Sequence, residues 1–227
     1  MATIMMLKPR LVAVLGKEAA RDVMAAEDAD MVEVRLDLVA GDPLKAIKTV
    51  RELTSQAMIA TNRMQAEGGQ FKGSEDDRLE LLLQAADFAD YVDIELRSDA
   101  RSKLMKKVKK PVIVSYHNFV CTPGQKELQT IMDEMKGCGA AIAKIAVTPT
   151  SLKDNVDILN FLLDADMPLC MIAMGQIGRH LRAIAPIYGS ALAYGYITEP
   201  TAPGQMSVAE LRQALRLLDP AYYLRSA

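Results

Sequence analysis

Residues 125–154, QKELQTIMDEMKGCGAAIAKIAVTPTSLKD, decide the fold. Their first dozen place Leu128, Ile131, Met132 and Met135 on one face at helical spacing. Residues 141–147 then form an apolar run of strand length, and Ser151 ahead of Leu152-Lys153-Asp154 reads as a helix N-cap. Helix, strand and helix in direct succession are the building unit of a parallel α/β protein. The same alternation runs outward in both directions. Further strands are expected at 11–15, 31–36, 58–62, 91–96, 112–116, 169–174 and 191–197, and a second amphipathic stretch at 76–89 carries Leu79, Leu82, Leu83 and Ala86. Eight strands alternating with about eight helices predict parallel βα units in one layer-built domain. The 227 residues come close to the roughly 250 typical of a (β/α)8 TIM barrel, so the reading is a single barrel domain over 1–227. An open doubly wound sheet is the alternative. It is disfavoured because Leu15-Gly16-Lys17-Glu18, after the first strand, holds one glycine and no phosphate-binding fingerprint.

Composition narrows the function. Half of the residues are apolar, a quarter are charged and the net charge is −2. That balance, with few aromatics and no basic run, argues against nucleic acid as a partner. The opening Met-Ala-Thr-Ile-Met-Met-Leu is too short to span a membrane and lacks the order of a signal peptide, so a cytoplasmic protein is expected. Three cysteines, Cys121, Cys138 and Cys170, show no metal-ligand spacing and are expected to be reduced thiols, with Cys170 in the core.

Lys144 stands in the middle of the run 141–147. Burial strips hydration from an ammonium and favours the free amine, a nucleophile able to condense with a ketone. A lysine snorkelling from a sheet edge is the competing reading. In a parallel barrel the active site lies at the C-terminal strand ends. The second strand ends in Glu33, Arg35 and Asp37, which share a face by the two-residue period. The third runs through Arg63 to Glu67-Gly68-Gly69, the fourth carries Asp93 and Glu95, and the fifth ends in Ser115-Tyr116-His117-Asn118. Strand seven ends at Met174, and Thr201 and Gln205 follow strand eight. Each group also has a plain structural reading: Glu33 and Arg35 as an ion pair, Arg63 and Glu67 in a solvated loop, His117 as a satisfied core histidine, Asp93 or Glu95 paired with an arginine. Their shared position is what favours a site, because strand starts are mostly apolar and solvation alone requires no such bias.

The order and spacing of Glu33-Val-Arg-Leu-Asp37, Arg63 with Glu67-Gly-Gly69, Ser115-Tyr-His-Asn-Phe119, Lys144-Ile-Ala-Val147 and Ala202-Pro-Gly-Gln205 resemble type I 3-dehydroquinate dehydratases over nearly the whole chain. The resemblance implies a (β/α)8 lyase of the shikimate pathway, serving chorismate and aromatic amino acid biosynthesis, usually a homodimer and without metal or organic cofactor. By motif, Lys144 matches the lysine that forms an imine with 3-dehydroquinate, His117 the general base and acid, and Glu67 the carboxylate that orients it. Glu33, Arg35 and Arg63 match positions that hold substrate hydroxyls, and Arg182 the partner of the substrate carboxylate. Thr201 and Gln205 match the loop over the substrate, Met174 and Tyr194 the pocket wall.

There are departures: Leu181-Arg182 where relatives often have Ser-Arg, Ile172-Ala-Met174 where they carry Met-x-Met, and Asn118 where Asp follows the histidine. Arg179 is a second candidate for the carboxylate. Another Schiff-base barrel, such as an aldolase, would share the lysine but usually handles phosphorylated substrates, and only Gly175 and Gly178 follow strand seven as candidate phosphate-loop glycines. A non-catalytic barrel binding a polyhydroxy acid would keep Arg182 and Glu33 without needing Lys144.

Overall fold

A computed structural model describes residues 9–219; the opening segment 1–7 and both ends of the domain reading 1–227 lie outside them. Eight parallel strands curl into a barrel: β1 (Arg10–Leu15), β2 (Met31–Arg35), β3 (Ala57–Thr61), β4 (Tyr91–Glu95), β5 (Val112–Asn118), β6 (Ile142–Val147), β7 (Leu169–Ala173) and β8 (Leu192–Tyr196). Strands β7 through β1 pair in sequence order and β8 pairs with β1. The seam between β7 and β8 has no regular ladder, but the Ala191 N–H donates to the Leu169 carbonyl at 2.8 Å and the Met171 N–H to Ser190 Oγ at 3.1 Å. A short strand that the sequence pattern did not indicate, β9 (Met206–Ser207), pairs with β8 beyond the loop bearing Thr201 and Gln205.

The connecting helices are α1 (Ala19–Asp22), α2 (Pro43–Leu53), α3 (Glu75–Ala85), α4 (Arg101–Lys107), α5 (Gln125–Gly137), α6 (Leu152–Leu163), α7 (Gly175–Gly178), α8 (Leu181–Ile184) and α9 (Val208–Leu218). Helix α5 buries the expected Leu128, Ile131, Met132 and Met135. Ser151 caps α6 with Asp154 reciprocating, and Ser74 with Asp77 and Ser207 with Glu210 do the same for α3 and α9. The expected 76–89 helix is shorter, because α3 gives way to a turn after Ala85. After β7 the chain makes two four-residue helices in place of one long one. No described helix is long and apolar enough to cross a membrane.

The two-residue strand period sorts side chains into two layers. Outward-facing Val32, Val34, Val92, Ile94, Val114, Ile145 and Val147 pack with the helices in the larger buried cluster. Inward-facing Val12, Met31, Ile59, Ile113, Ile142, Cys170 and Leu192 form a second cluster inside the barrel. One step further along the same strands the interior turns polar, with Glu33, Thr61, Asp93, Ser115 and Lys144 all buried. Strand register carries this across the sheet: Glu33 lies beside Ile59, Thr61 beside Asp93, and Ser115 beside Lys144. Cys170, beside Lys144 and fully buried, is the core residue expected.

Candidate active site

Lys144 is 4 % exposed, on a strand paired on both sides, so the edge-snorkelling reading fails. Its Nζ donates to Glu33 Oε1 at 3.2 Å and to Asp93 Oδ2 at 3.0 Å, and it lies 4.1 Å from the centre of the Tyr194 ring. The neighbours of Lys144 along the strand are apolar, but Ala143 and Ile145 belong to the outer layer. The amine itself sits among charges supplied by β2 and β4.

Asp93 and Glu95 both pair with Arg63, whose Nη2 lies 2.9 Å from Asp93 and whose Nη1 donates to Glu95 Oε1 at 2.7 Å and Ser115 Oγ at 2.6 Å. Burial pushes Asp93 up, but Arg63 and Lys144 outweigh it and hold its carboxyl well below the usual carboxylate range. Burial opposes the charge on Arg63 as well, and Asp93 and Glu95 more than compensate. The other oxygen of Glu95 accepts from Arg78 Nη1 at 2.8 Å, so the ion chain runs on through the sheet to α3. Arg78 was not singled out from the sequence, and Ser115 was noted only as part of the polar end of the fifth strand. Arg78 comes from a helix, and its role depends on the Asn62 carbonyl and Glu95, to which it donates.

Glu33 and Arg35 do not pair. Arg35 makes two 2.8 Å hydrogen bonds to Asp37, one to each oxygen. Asp37 also accepts from the backbone of Arg63 at 3.3 Å and Gln70 at 3.1 Å, so it ties the end of β2 to the loop that carries Glu67. Burial opposes ionisation of Asp37, and the Arg35 hydrogen bonds lower its pKa overall.

That loop makes a short 3-10 turn over Gln65–Glu67 and ends with Gly68 at φ 82°. At Gly69 an added Cβ would stand 1.8 Å from the Arg63 carbonyl oxygen, so only glycine lets the chain fold back this closely. The turn delivers Glu67 to His117: Oε2 accepts from the His117 backbone N–H at 3.0 Å and lies 2.7 Å from Nδ1. With Nδ1–H donating there, Nε2 remains as the proton acceptor. Burial, with Arg63 and Lys144 nearby, pushes His117 well below the ordinary 6.5, so the imidazole is neutral at neutral pH. Burial raises Glu67 to about 7. The Phe119 ring, which closes the Ser115–Phe119 motif, lies 6.4 Å from the imidazole at 16° and covers Gly68.

The far wall comes from β7, β8 and the loop between β8 and β9. Arg182 is buried, its Nη2 donates to the Pro203 carbonyl at 3.0 Å, and its Nε has no partner among the described residues. Burial lowers its pKa to about 10, and no carboxylate among the described residues offsets it. Arg179 points elsewhere: it pairs with Glu210 at 3.1 Å near the surface, which separates the two candidate arginines. The loop is pinned by Gln205 Oε1, which accepts from the Thr201 N–H at 2.7 Å, and by the Pro203 carbonyl, which accepts from Gly175 N at 3.1 Å. Gly204, at φ 67°, packs so tightly on Gly175 that a Cβ would stand 2.3 Å from its carbonyl oxygen.

These elements line one pocket that is open to solvent. Lys144, His117, Glu67, Glu33, Arg35, Arg63, Arg182, Thr201, Gln205, Met174 and Tyr194 all line it. A neutral imidazole oriented by a carboxylate, a buried amine and an unpaired guanidinium together suit proton transfer and carbonyl chemistry on a small anion.

The family model for type I 3-dehydroquinase matches residues 12–221. The chain belongs to the type I 3-dehydroquinase family. Membership makes it an enzyme, a hydro-lyase. The chain is 50 % identical over 212 residues to a 3-dehydroquinate dehydratase of Methanothrix thermoacetophila, covering 92 % of each. It is 36 % identical to one from Methanococcoides burtonii, covering 93 % of this chain and 95 % of that relative. Among solved structures, the 3-dehydroquinate dehydratase of Geobacillus kaustophilus superposes with a TM-score of 0.87 at 25 % identity, covering 93 % of this chain and 91 % of that one. The type I enzyme of Clostridium difficile, solved with covalently modified comenic acid, gives 0.83 at 26 % identity, with 95 % and 94 % covered. The barrel read from the sequence is thus the fold of this type I 3-dehydroquinase.

Proposed function

We propose that this type I 3-dehydroquinase dehydrates 3-dehydroquinate to 3-dehydroshikimate through an imine on Lys144. The observation that carries the reading is a buried lysine and a buried arginine, Arg182, without an acidic partner among the described residues, facing one pocket with the His117–Glu67 pair. The covalent ligand in the Clostridium difficile relative supports the same direction.

Arg182 presents a planar fork of donors to the substrate carboxylate. Lys144 attacks the C3 ketone, and the oxygen leaves as water. The iminium makes a C2 proton labile, because the electron pair left behind moves into nitrogen as an enamine. His117 Nε2 takes that proton and returns one to the departing C1 hydroxyl; water then releases the product. A neutral imidazole is what the first of these steps needs, and burial supplies it. Glu67 orients the ring through Nδ1. Arg35, held by Asp37, together with Arg63, Thr201 and Gln205 positions the ring hydroxyls, while Met174 and Tyr194 wall off water. Residues 1–227 work as one catalytic domain, paired with a second copy in the cytoplasm. The family resemblance supports that pairing, and sedimentation velocity checks it: a species of the mass of a single chain contradicts it. Replacing Lys144→Ala should abolish turnover of 3-dehydroquinate, and ordinary rates in that variant would sink the imine mechanism.

A further inference from the structure

Four arginines are buried among the described residues. Arg35, Arg63 and Arg182 line the pocket, and Arg78 does not. Arg78 reaches in from α3, outside the barrel, with all five of its N–H donors engaged. Nε and Nη2 donate to the two oxygens of Glu75 at 2.7 and 2.8 Å, and Nη2 also to Ser98 Oγ at 3.0 Å. Nη1 donates to the Asn62 carbonyl at 2.6 Å and to Glu95 Oε2 at 2.8 Å.

Those last two bonds bracket Arg63. Asn62 precedes it in the chain. Glu95 grips it from the other side, because Oε1 accepts from Arg63 Nη1 at 2.7 Å and from the backbone N–H of Met64, the next residue, at 3.1 Å. Arg78 therefore fixes both the main chain entering Arg63 and the carboxylate that holds its guanidinium.

Glu95 is fully buried, and Arg78 is the one donor to its Oε2 among the described residues. A buried carboxylate oxygen stripped of its donor is costly to leave alone. The cation within reach to answer it is Arg63, already on Oε1. Drawn across both oxygens, that guanidinium would turn away from Asp93 at 2.9 Å and from Ser115 Oγ at 2.6 Å, and so out of its place in the pocket wall.

We propose that Arg78 is a positioning residue for substrate binding, acting through Glu95 and the Asn62 carbonyl to hold Arg63 in the pocket wall. This deepens the functional reading above and rests on its assignment of Arg63 to the ring hydroxyls. Glu75 and Ser98 hold Arg78 in turn, so the grip on substrate is set from outside the barrel. A lysine could not replace it: one nitrogen with three donors cannot serve five acceptors spread around a fork.

The test is steady-state turnover of 3-dehydroquinate per folded molecule. Arg78→Met keeps an apolar stem and removes the fork. Its KM should rise about 10-fold, the value of one charge-assisted hydrogen bond, with kcat changed far less. Arg78→Lys should give an intermediate KM. Leu82→Ala loosens the same helix at a fully buried apolar contact, and should lower stability while leaving KM unchanged. In an Arg63→Met background, Arg78→Met should add little, because its effect passes through Arg63. If Arg78→Met does not fold, the KM of Arg78→Lys against that of Leu82→Ala decides. An unchanged KM in the Arg78 variants, an equal rise in Leu82→Ala, or full multiplication with Arg63→Met would each make Arg78 a structural anchor and overturn the proposal. If the parent does not turn over 3-dehydroquinate, the functional reading has failed first.

Discussion

The lower and upper halves of the barrel interior are built on the same strands and differ in almost everything else. Below, Val12, Met31, Ile59, Ile113, Ile142 and Leu192 fill the space with apolar volume. Two residues further along four of these strands stand Glu33, Thr61, Ser115 and Lys144, and with Asp93 from β4 they are joined by hydrogen bonds and ion pairs. The lower half asks only for shape and burial, which several side chains can supply. The upper half asks for particular donors and acceptors, because desolvating these charges is costly and removing one partner leaves another stranded. Stability and chemistry are therefore separable along each strand by a single step of the pleat.

That separation can be broken or sharpened by substitution. With Lys144 in place, the largest effect belongs to His117→Ala, which should lower turnover roughly 10²–10⁴-fold while still allowing a borohydride-reducible adduct. Full activity in this variant would assign the base elsewhere. Next, Arg182→Met should raise KM by roughly 10- to 100-fold, the value of a charge-assisted pair with the substrate carboxylate. An unchanged KM in steady-state kinetics would move the carboxylate away from Arg182. The smallest effect on activity belongs to the lower half. Ile59→Ala should cost about 2–5 kcal/mol in denaturant unfolding yet leave turnover per folded molecule near that of the parent. A catalytic defect as large as that of His117→Ala would mean that the two halves are not separable.

Much of this division was legible in the sequence, and the reason is the two-residue period. It aligned Glu33, Arg35 and Asp37 on one face, and the strand pattern collected the polar residues at the ends that a parallel barrel uses. What it could not supply was pairing across strands. Arg35 chose Asp37 over Glu33 because Asp37 is also fixed by the backbone of Arg63 and Gln70, a loop geometry that no strand pattern encodes. The contacts of Lys144 were not legible for a related reason. Its sequence neighbours Ala143 and Ile145 face the helices, whereas Glu33, Asp93 and Tyr194, which do touch it, arrive from three other strands. Arg78 was invisible because it reaches the ion chain from α3, outside the strand alternation. The Met206–Ser207 strand is too short to show any period.

The central claim is that the polar half exists to place one amine against one ketone. The most direct measurement is mass mapping of the protein after borohydride reduction in the presence of 3-dehydroquinate. The account predicts one ligand-sized mass increase, on the peptide that contains Lys144. An unmodified Lys144 peptide under turnover conditions, or an adduct on any other lysine, would contradict it.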